Sequence, residues 1–249
     1  MSGHSKWSTI KHKKAQTDAR RGAVYTKLAR EIQIAAREGG GDPDVNFGLR
    51  LAIDRAKEAN MPSSNIDRAL KRGTGEDKDA ASMEKIHYEG YAPHGVAVIL
   101  NCITDNRNRT VADIRHLLTK HGGTMGQEGS VSWQFTRKSH FNIPCGDHTF
   151  DELFEIAIET GADDVIEEEE YFEIIGPVEI FKNLHDQLKE AEIVPETAGL
   201  SMDPNQEMEL SLEETLQVMK VIDLLEELDD IQEVYSNLKI TDEALEGLG

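Results

Sequence analysis

The residues best suited to chemistry in this chain are cations, and they crowd its front end. Residues 1–37 carry Lys6, Lys11, Lys13, Lys14, Arg20, Arg21, Lys27, Arg30 and Arg37, opposed only by Asp18 and Glu31. Lys and Arg at this density neutralise phosphates and release counterions, a source of affinity without sequence specificity. Trp7 and His12 lie among them, and the indole could stack on a base or wedge against a sugar. The rest of the chain has the opposite sign. Residues 1–75 hold 15 Lys+Arg against 8 Asp+Glu, residues 76–249 hold 12 against 39, and the net charge is −20. An acidic chain that keeps one basic head keeps it for a polyanion, and nucleic acid is the first candidate.

Two smaller cationic groups follow. The helical domain adds Arg50, Arg55, Lys57, Arg68, Lys71 and Arg72, several of them offset by Asp54, Glu58 and Asp67 at pairing distance, so ordinary surface ion pairs are the default; Arg68, Lys71 and Arg72 share one face of an expected helix and are the better candidates. The loop 104–110, Thr-Asp-Asn-Arg-Asn-Arg-Thr, stands at a strand-to-helix junction, where backbone N–H groups and the helix dipole favour an anion. Arg107, Arg109, Arg115 and Lys120 make this the basic island of the acidic part; helix capping and packing is the rival role for them.

Other chemistries find little support. The glycines at 122, 123, 126 and 129 lack the Gly-Lys-Ser/Thr ending of a phosphate-binding loop and follow a helix, so they read as a turn. His140, Cys145 and His148 want a fourth ligand for a structural zinc. No nucleophile elbow, triad or His-Glu-x-x-His stands out, and the carboxylates at 167–170 read as a solvated turn. No enzyme, metal or cofactor is therefore expected. Cys102 and Cys145 read as free thiols. No apolar run nears the roughly 20 residues of a membrane span, and the polar front end shows no signal peptide, so the expected compartment is the cytoplasm.

Periodicity places the elements that must position these residues. Residues 1–22 show no apolar period and read as a basic arm. Val24, Leu28, Ile32 and Ala35 mark a helix that stops at Gly39-Gly40-Gly41; a second helix is expected from a cap at Asp44 to Asn60, and a third beginning after Pro62-Ser63-Ser64 and ending at Gly73. A glycine hinge at 73–75 leads to strands at 85–91 and 96–103, a helix capped around Thr110 and Asp113, and a strand at 131–135. Between 137 and 204 the order is strand, helix, two strands, helix, strand, the ferredoxin-like signature. A strand near 207–210, a helix through Leu216 and Ile222, and a strand at 231–235 are too few to fold alone. The fold class read from this is α+β with three domains. A basic arm (1–22) and a helical domain (23–75) precede two ferredoxin-like α/β domains. The first of these is discontinuous (80–136 plus 205–240), and the other is inserted into it (137–204).

Several short stretches are more specific than these patterns. Gly-His-Ser-Lys-Trp at 3–7, Asp-Ala-Arg-Arg-Gly at 18–22, Gly-Gly-Gly-Asp-Pro at 39–43, Asn-Met-Pro at 60–62, Tyr-Glu-Gly-Tyr at 88–91 and Asp-Asn-Arg-Asn-Arg-Thr at 105–110 closely resemble the YebC/PmpR family. Gly129-Ser130-Val131 and Gln232-Glu233-Val234-Tyr235 fit it too. The resemblance runs along the whole chain and is weakest across 137–205. It implies a helical N-terminal domain, two α/β domains and an acidic concave surface. It also implies either a transcriptional regulator that binds DNA or a translation factor at the ribosome, mitochondrial translational activators included. Ala23 and Tyr25 stand where the family usually has Lys and Phe, so one cation is lost here.

The expected function is thus a non-enzymatic, DNA-binding transcriptional regulator. Its acidic domains are free to engage a protein partner, and no membrane is involved. No helix-turn-helix with a polar reading face is recognisable in the sequence. The alternative is a ribosome-associated translation factor whose arm and Arg107 region reach ribosomal RNA while the acidic lobes are repelled outward. The expected contacts are Lys6, Trp7, Lys11, His12, Lys13, Lys14, Arg20, Arg21, Lys27, Arg30, Arg68, Lys71, Arg72, Arg107, Arg109 and Arg115.

Overall fold

The computed structural model describes residues 18–77, 81–146 and 148–246. Three helices come first: α1 (Asp18–Gly39), α2 (Phe47–Glu58) and α3 (Ser63–Gly73). A hairpin of β1 (Glu84–Tyr91) and β2 (Ala97–Thr104) leads to α4 (Arg107–Lys120) and the short β3 (Thr124–Met125). Then come β4 (Phe135–Pro144), α5 (Phe150–Thr160), β5 (Asp164–Glu167), β6 (Tyr171–Pro177), α6 (Phe181–Glu190) and β7 (Thr197–Pro204). The last described elements are α7 (Leu212–Glu226), β8 (Ile231–Ser236) and α8 (Asp242–Glu246). The class is α+β, with a helical N-terminal region and two antiparallel four-stranded sheets, ordered β3-β1-β2-β8 and β5-β6-β4-β7. The chain divides into two compact units: residues 133–207, and the segments on either side of them together.

In the smaller unit, β4 is a central strand paired with β6 and β7, and the order of elements is strand, helix, two strands, helix, strand. Phe141, Ile143, Leu153, Ile174, Leu184 and Leu188 are fully buried. Thr149 caps α5 by accepting the Glu152 N–H, and Gly161 ends it at φ 84°, a left-handed position that costs a glycine nothing. One charged group is enclosed here. His140 on β4 bonds to Glu173 on β6 (2.9 Å) and to Asp203 on β7 (2.8 Å), and the Glu173 side chain is almost wholly buried. Burial opposes protonation of this imidazole, but the hydrogen bonds and charges of Asp203 and Glu173 outweigh it and push its pKa up to about 9.

The larger unit has two apolar clusters. Ile32, Leu49, Ala56, Met61 and Ile66 fill the space between the three helices, while Leu100, Ile114, Leu118, Val218 and Ile222 pack α4 and α7 against the sheet. Helices α1 and α3 approach so closely at Gly73 that a Cβ there would run into the Gln33 carbonyl and the Ala36 methyl. What ties the helices to the sheet is polar. Asp230, just before β8, has a side chain only 9% exposed. It accepts Thr110 Oγ1 (2.7 Å) and Thr104 Oγ1 (3.2 Å) and pairs with Arg109 of α4 (2.9 Å) and Arg30 of α1 (2.9 Å). Arg30 also donates to the Asp229 and Ile103 carbonyls, and Lys27 donates to the Glu226 carbonyl at 2.6 Å. One buried carboxylate thus joins α1, β2, α4 and the lead into β8. Burial raises the Asp230 pKa, but bonds from Thr110 and Arg109 and the charges of Arg30 and Arg109 outweigh it and hold it below the usual aspartate value.

Several expectations are corrected. Helix α1 begins at Asp18, so residues 18–22 are helical instead of belonging to an arm; Asp18 itself suits the first turn of a helix. Helix α2 is capped by Asn46 in place of Asp44, because an amide can do both jobs this buried corner needs. Its Oδ1 accepts the Leu49 N–H, while its Nδ2 donates to the Ala35 and Gly40 carbonyls. Asn106 likewise caps α4, since Thr110 is engaged with Asp230. In place of the expected strand at 131–135 there is a bend and a short 3-10 turn (Ser132–Gln134), and β4 starts only at Phe135. The Glu89 carboxylate takes up the N–H groups of Gly129, Val131 and Ser132 at 2.6–2.9 Å, which folds the start of this stretch around it. Residues 207–210 make only a single parallel bridge, Met208 to Leu238. The first sheet is not in ferredoxin-like order, because the β1–β2 hairpin occupies its centre. The residues beyond the glycine hinge are anchored on α1: Gln33 donates to the Ala81 carbonyl, Arg37 to Ser82 and Met83, and Lys85 pairs with Glu38.

Replacing Asp230 with Ala leaves the largely buried Arg30 without its counter-ion and Arg109 with Asp105 alone, so about 3–5 kcal/mol of stability should be lost in urea unfolding. The native pKa lies below the unfolded one, so this contribution is present above about pH 4 and disappears as pH falls through the native value. A D230A midpoint equal to wild type would show that the joint is dispensable. His140 has the opposite sign. Its native pKa is raised above 6.5, so its contribution is complete below pH 6.5 and is lost as pH rises through about 9. His140→Gln should flatten that alkaline fall in stability, measured by denaturation between pH 6 and 10.

Candidate nucleic-acid interface

The expected contacts fall into three groups. Lys6, Trp7, Lys11, His12, Lys13 and Lys14 lie outside the described residues, and of Arg20 only the helical backbone is described. A second group is engaged inside the larger unit. Lys27 holds α1 to the end of α7, Arg30 holds it to Asp230 and the end of β2, and Arg109 grips Asp230 and Asp105 (2.8 Å), so these three side chains are engaged within the unit. A carboxylate only 9% exposed needs cations close by; of these, the Arg30 side chain is 14% exposed and that of Arg109 is 44% exposed. Arg107 pairs with Glu84 across 2.7 Å at the surface, and that hydrogen bond lowers the Glu84 pKa and raises that of Arg107. The island at 107–120 is therefore largely neutralised at its front.

The third group faces solvent. Arg68 and Lys71 are exposed on α3 and form no ion pair with a described residue; with Ser64, Asp67, Glu76 and Asp77 they line an open depression. Arg72, also exposed, leans on Asp77 at 3.2 Å. Arg115 and Lys120 are exposed on α4, likewise without an ion pair to a described residue, and Arg21 is exposed on α1. Helix α3 follows α2 after the four residues Ala59, Asn60, Met61 and Pro62, the connection length of a helix-turn-helix. Asn60 adopts φ 58° at the turn, and its carbonyl accepts the Tyr25 hydroxyl at 2.8 Å. Pro62 then starts α3 with its φ already set. The polar residues of α3 are presented outward by the burial of Ile66 and Ala69 on its other side.

Sequence reasoning missed one displayed aromatic. Trp133, in the smaller unit, is 72% exposed, and its carbonyl accepts Asn205 Nδ2 while the Asn205 N–H bonds to the Gln134 carbonyl. Reading 131–135 as an alternating strand hid it; the Gly129-Ser130 turn just before it was the available signal. Its unit holds 4 Lys+Arg against 19 Asp+Glu over residues 133–207, a field that repels a polyanion.

No helix among the described residues is long and apolar enough to cross a membrane. Comparison with known proteins covers almost the whole chain. A family model described as the TACO1/YebC protein N-terminal domain matches residues 5–76, and one described as the TACO1/YebC second and third domain matches residues 83–238. A "Probable transcriptional regulatory protein" of Persephonella marina is 49% identical over 249 residues, covering 99% of each chain. A protein of the same description from Bifidobacterium longum is 50% identical over 246 residues, covering 98% of each. A crystal structure of a conserved hypothetical protein from Aquifex aeolicus superposes with a TM-score of 0.82 at 43% identity, covering 90% of this chain and 93% of that one. With matches to both family models and full-length relatives near half identity, the chain belongs to the TACO1/YebC family.

Proposed function

We propose that this protein is a non-enzymatic nucleic-acid-binding regulator of gene expression, acting in the cytoplasm as a DNA-binding transcriptional regulator. The observation that carries the reading is the outward face of α3, where Arg68 and Lys71, although Asp67, Glu76 and Asp77 line the same depression, stand clear of any ion pair with a described residue while the cations around the Asp230 joint are engaged internally. The names of the relatives support the regulatory role. Arg72 of α3, Arg115 of α4 and Arg21 of α1 are further contacts in this reading, and the cations at 6–14 with Trp7 and Arg20 add the sequence-independent grip. The four-residue α2–α3 connection and the polar face of α3 favour duplex DNA, since a short helix presented this way can lie against a groove. We read the chain as a helical domain (23–75), a discontinuous α/β domain (80–136 plus 205–240) and an inserted ferredoxin-like domain (137–204).

A second reading, a translation factor on ribosomal RNA, is favoured by a different observation. Exposed cations sit on two separate elements, α3 and α4, which suits a broad RNA surface better than one groove.

Fluorescence anisotropy of the full chain against a 30-base-pair duplex and against a ribosomal RNA fragment, over a salt series, tests both readings. Clamping 5 to 7 phosphates predicts a log-log salt slope of about −4.5 to −6 on duplex DNA. The double variant Arg68→Ala/Lys71→Ala should make that slope shallower by about 2 and weaken all sequences alike. A slope near zero on both ligands sinks the proposal, and tight binding confined to the RNA selects the second reading.

A further inference from the structure

Helix α5 presents an apolar stripe that its own unit does not cover. Phe150, Phe154 and Ile158 recur every four residues and so share a face, with the two phenyl rings stacked at a centroid separation of 5.5 Å. The core side of the helix is a different one, made by Leu153 and Ala157, both buried. Phe154 is 44% and Ile158 62% exposed, so two of the six large apolar side chains exposed among the described residues lie one turn apart on one helix. Asp151, Glu155 and Glu159 each follow a stripe residue by one position and form an exposed acidic ridge alongside it, with no ion pair to a described residue. An apolar strip edged by charge is the form of an interaction surface, and the sign of the edge selects its partner.

We infer that α5 is a docking face for a basic amphipathic helix of another protein, whose apolar residues cover Phe154 and Ile158 and whose Lys or Arg side chains meet the acidic ridge. The 4-to-19 ratio of cations to carboxylates in residues 133–207 adds long-range attraction for such a segment. The same charges disfavour the other occupants. Nucleic acid and anionic lipid are repelled, and a second copy would set one acidic ridge against another. From Phe150 to Ile158 the stripe runs about 12 Å along the helix axis, enough for two to three turns of a partner helix. The binding is separate from the nucleic-acid contact proposed above.

The test uses the full chain and two fluorescein-labelled 18-residue helical peptides with the same leucine face, one flanked by lysines and the other by glutamates. The expected result is saturable binding of the lysine peptide, weakened at least tenfold by Phe154→Ser/Ile158→Ser. The charge variant Glu155→Lys/Glu159→Lys should move the preference to the glutamate peptide. Far-UV circular dichroism and a thermal midpoint close to wild type should report that both variants fold, and binding of duplex DNA should be unchanged in the serine variant. The inference is overturned by no saturable binding of the lysine peptide, by equal binding of both peptides, or by an affinity that the serine variant leaves intact. Self-association of the wild type that the serine variant abolishes would overturn it in favour of a second copy.

Discussion

Everything on the larger unit turns on one buried carboxylate. Asp230 stands where α1, the end of β2, α4 and the start of β8 converge, and it is the polar element that the two apolar clusters share. A charge so enclosed is tolerable only with compensation, and two guanidinium groups and two hydroxyls supply it. The geometry of the helical region relative to the sheet follows, because Arg30 reaches Asp230 only if that face of α1 is turned toward the sheet. Lys27, one turn earlier on the same face, makes the parallel contact with the end of α7.

That joint also sorts the cations. A basic residue near Asp230 is held in place by it, whereas Arg68 and Lys71 on α3 and Arg115 on α4 form no ion pair with a described residue. Composition alone treats Arg30, Arg68 and Arg109 as equals. Their roles differ because the burial of Ile66 and Ala69 turns Arg68 outward, and the burial of Ile114 and Leu118 leaves Arg109 at the inner start of α4 and Arg115 on its outer side. The smaller unit follows a related rule: the enclosed His140 lies between two carboxylates, while most of its described acidic residues lie on the surface and set the character of that unit.

Much of the secondary structure was legible in advance. The ends of helix α5 follow from Thr149 before it and Gly161 after it, but its faces do not: apolar spacing reads Leu153, Phe154, Ala157 and Ile158 as inward, whereas only Leu153 and Ala157 of these are buried and Phe154 and Ile158 are exposed. Helices α1 to α3 were legible as three elements separated by Gly and Pro, but their caps were not. Asn46 displaces Asp44 because it bonds to carbonyls on a different helix, and no local pattern contains that information. The strand expected at 131–135 shrank to its last residue for a similar reason: Glu89, some 40 positions away, gathers the Gly129, Val131 and Ser132 N–H groups, and β4 starts only at Phe135. The centre of the first sheet was misread because helix and strand periods say which elements exist and not which strands become neighbours.

By itself the sequence determined the charge asymmetry, the α+β class, the family resemblance and the identity of the cationic groups, since each depends on residue type and on spacing within about a turn of helix or a strand. Only the tertiary structure decided which of those cations are engaged, where the apolar stripe of α5 goes uncovered, and which carboxylate holds the larger unit together. These outcomes rest on contacts between residues as far apart as Arg30 and Asp230, where burial changes the cost of leaving a charge alone.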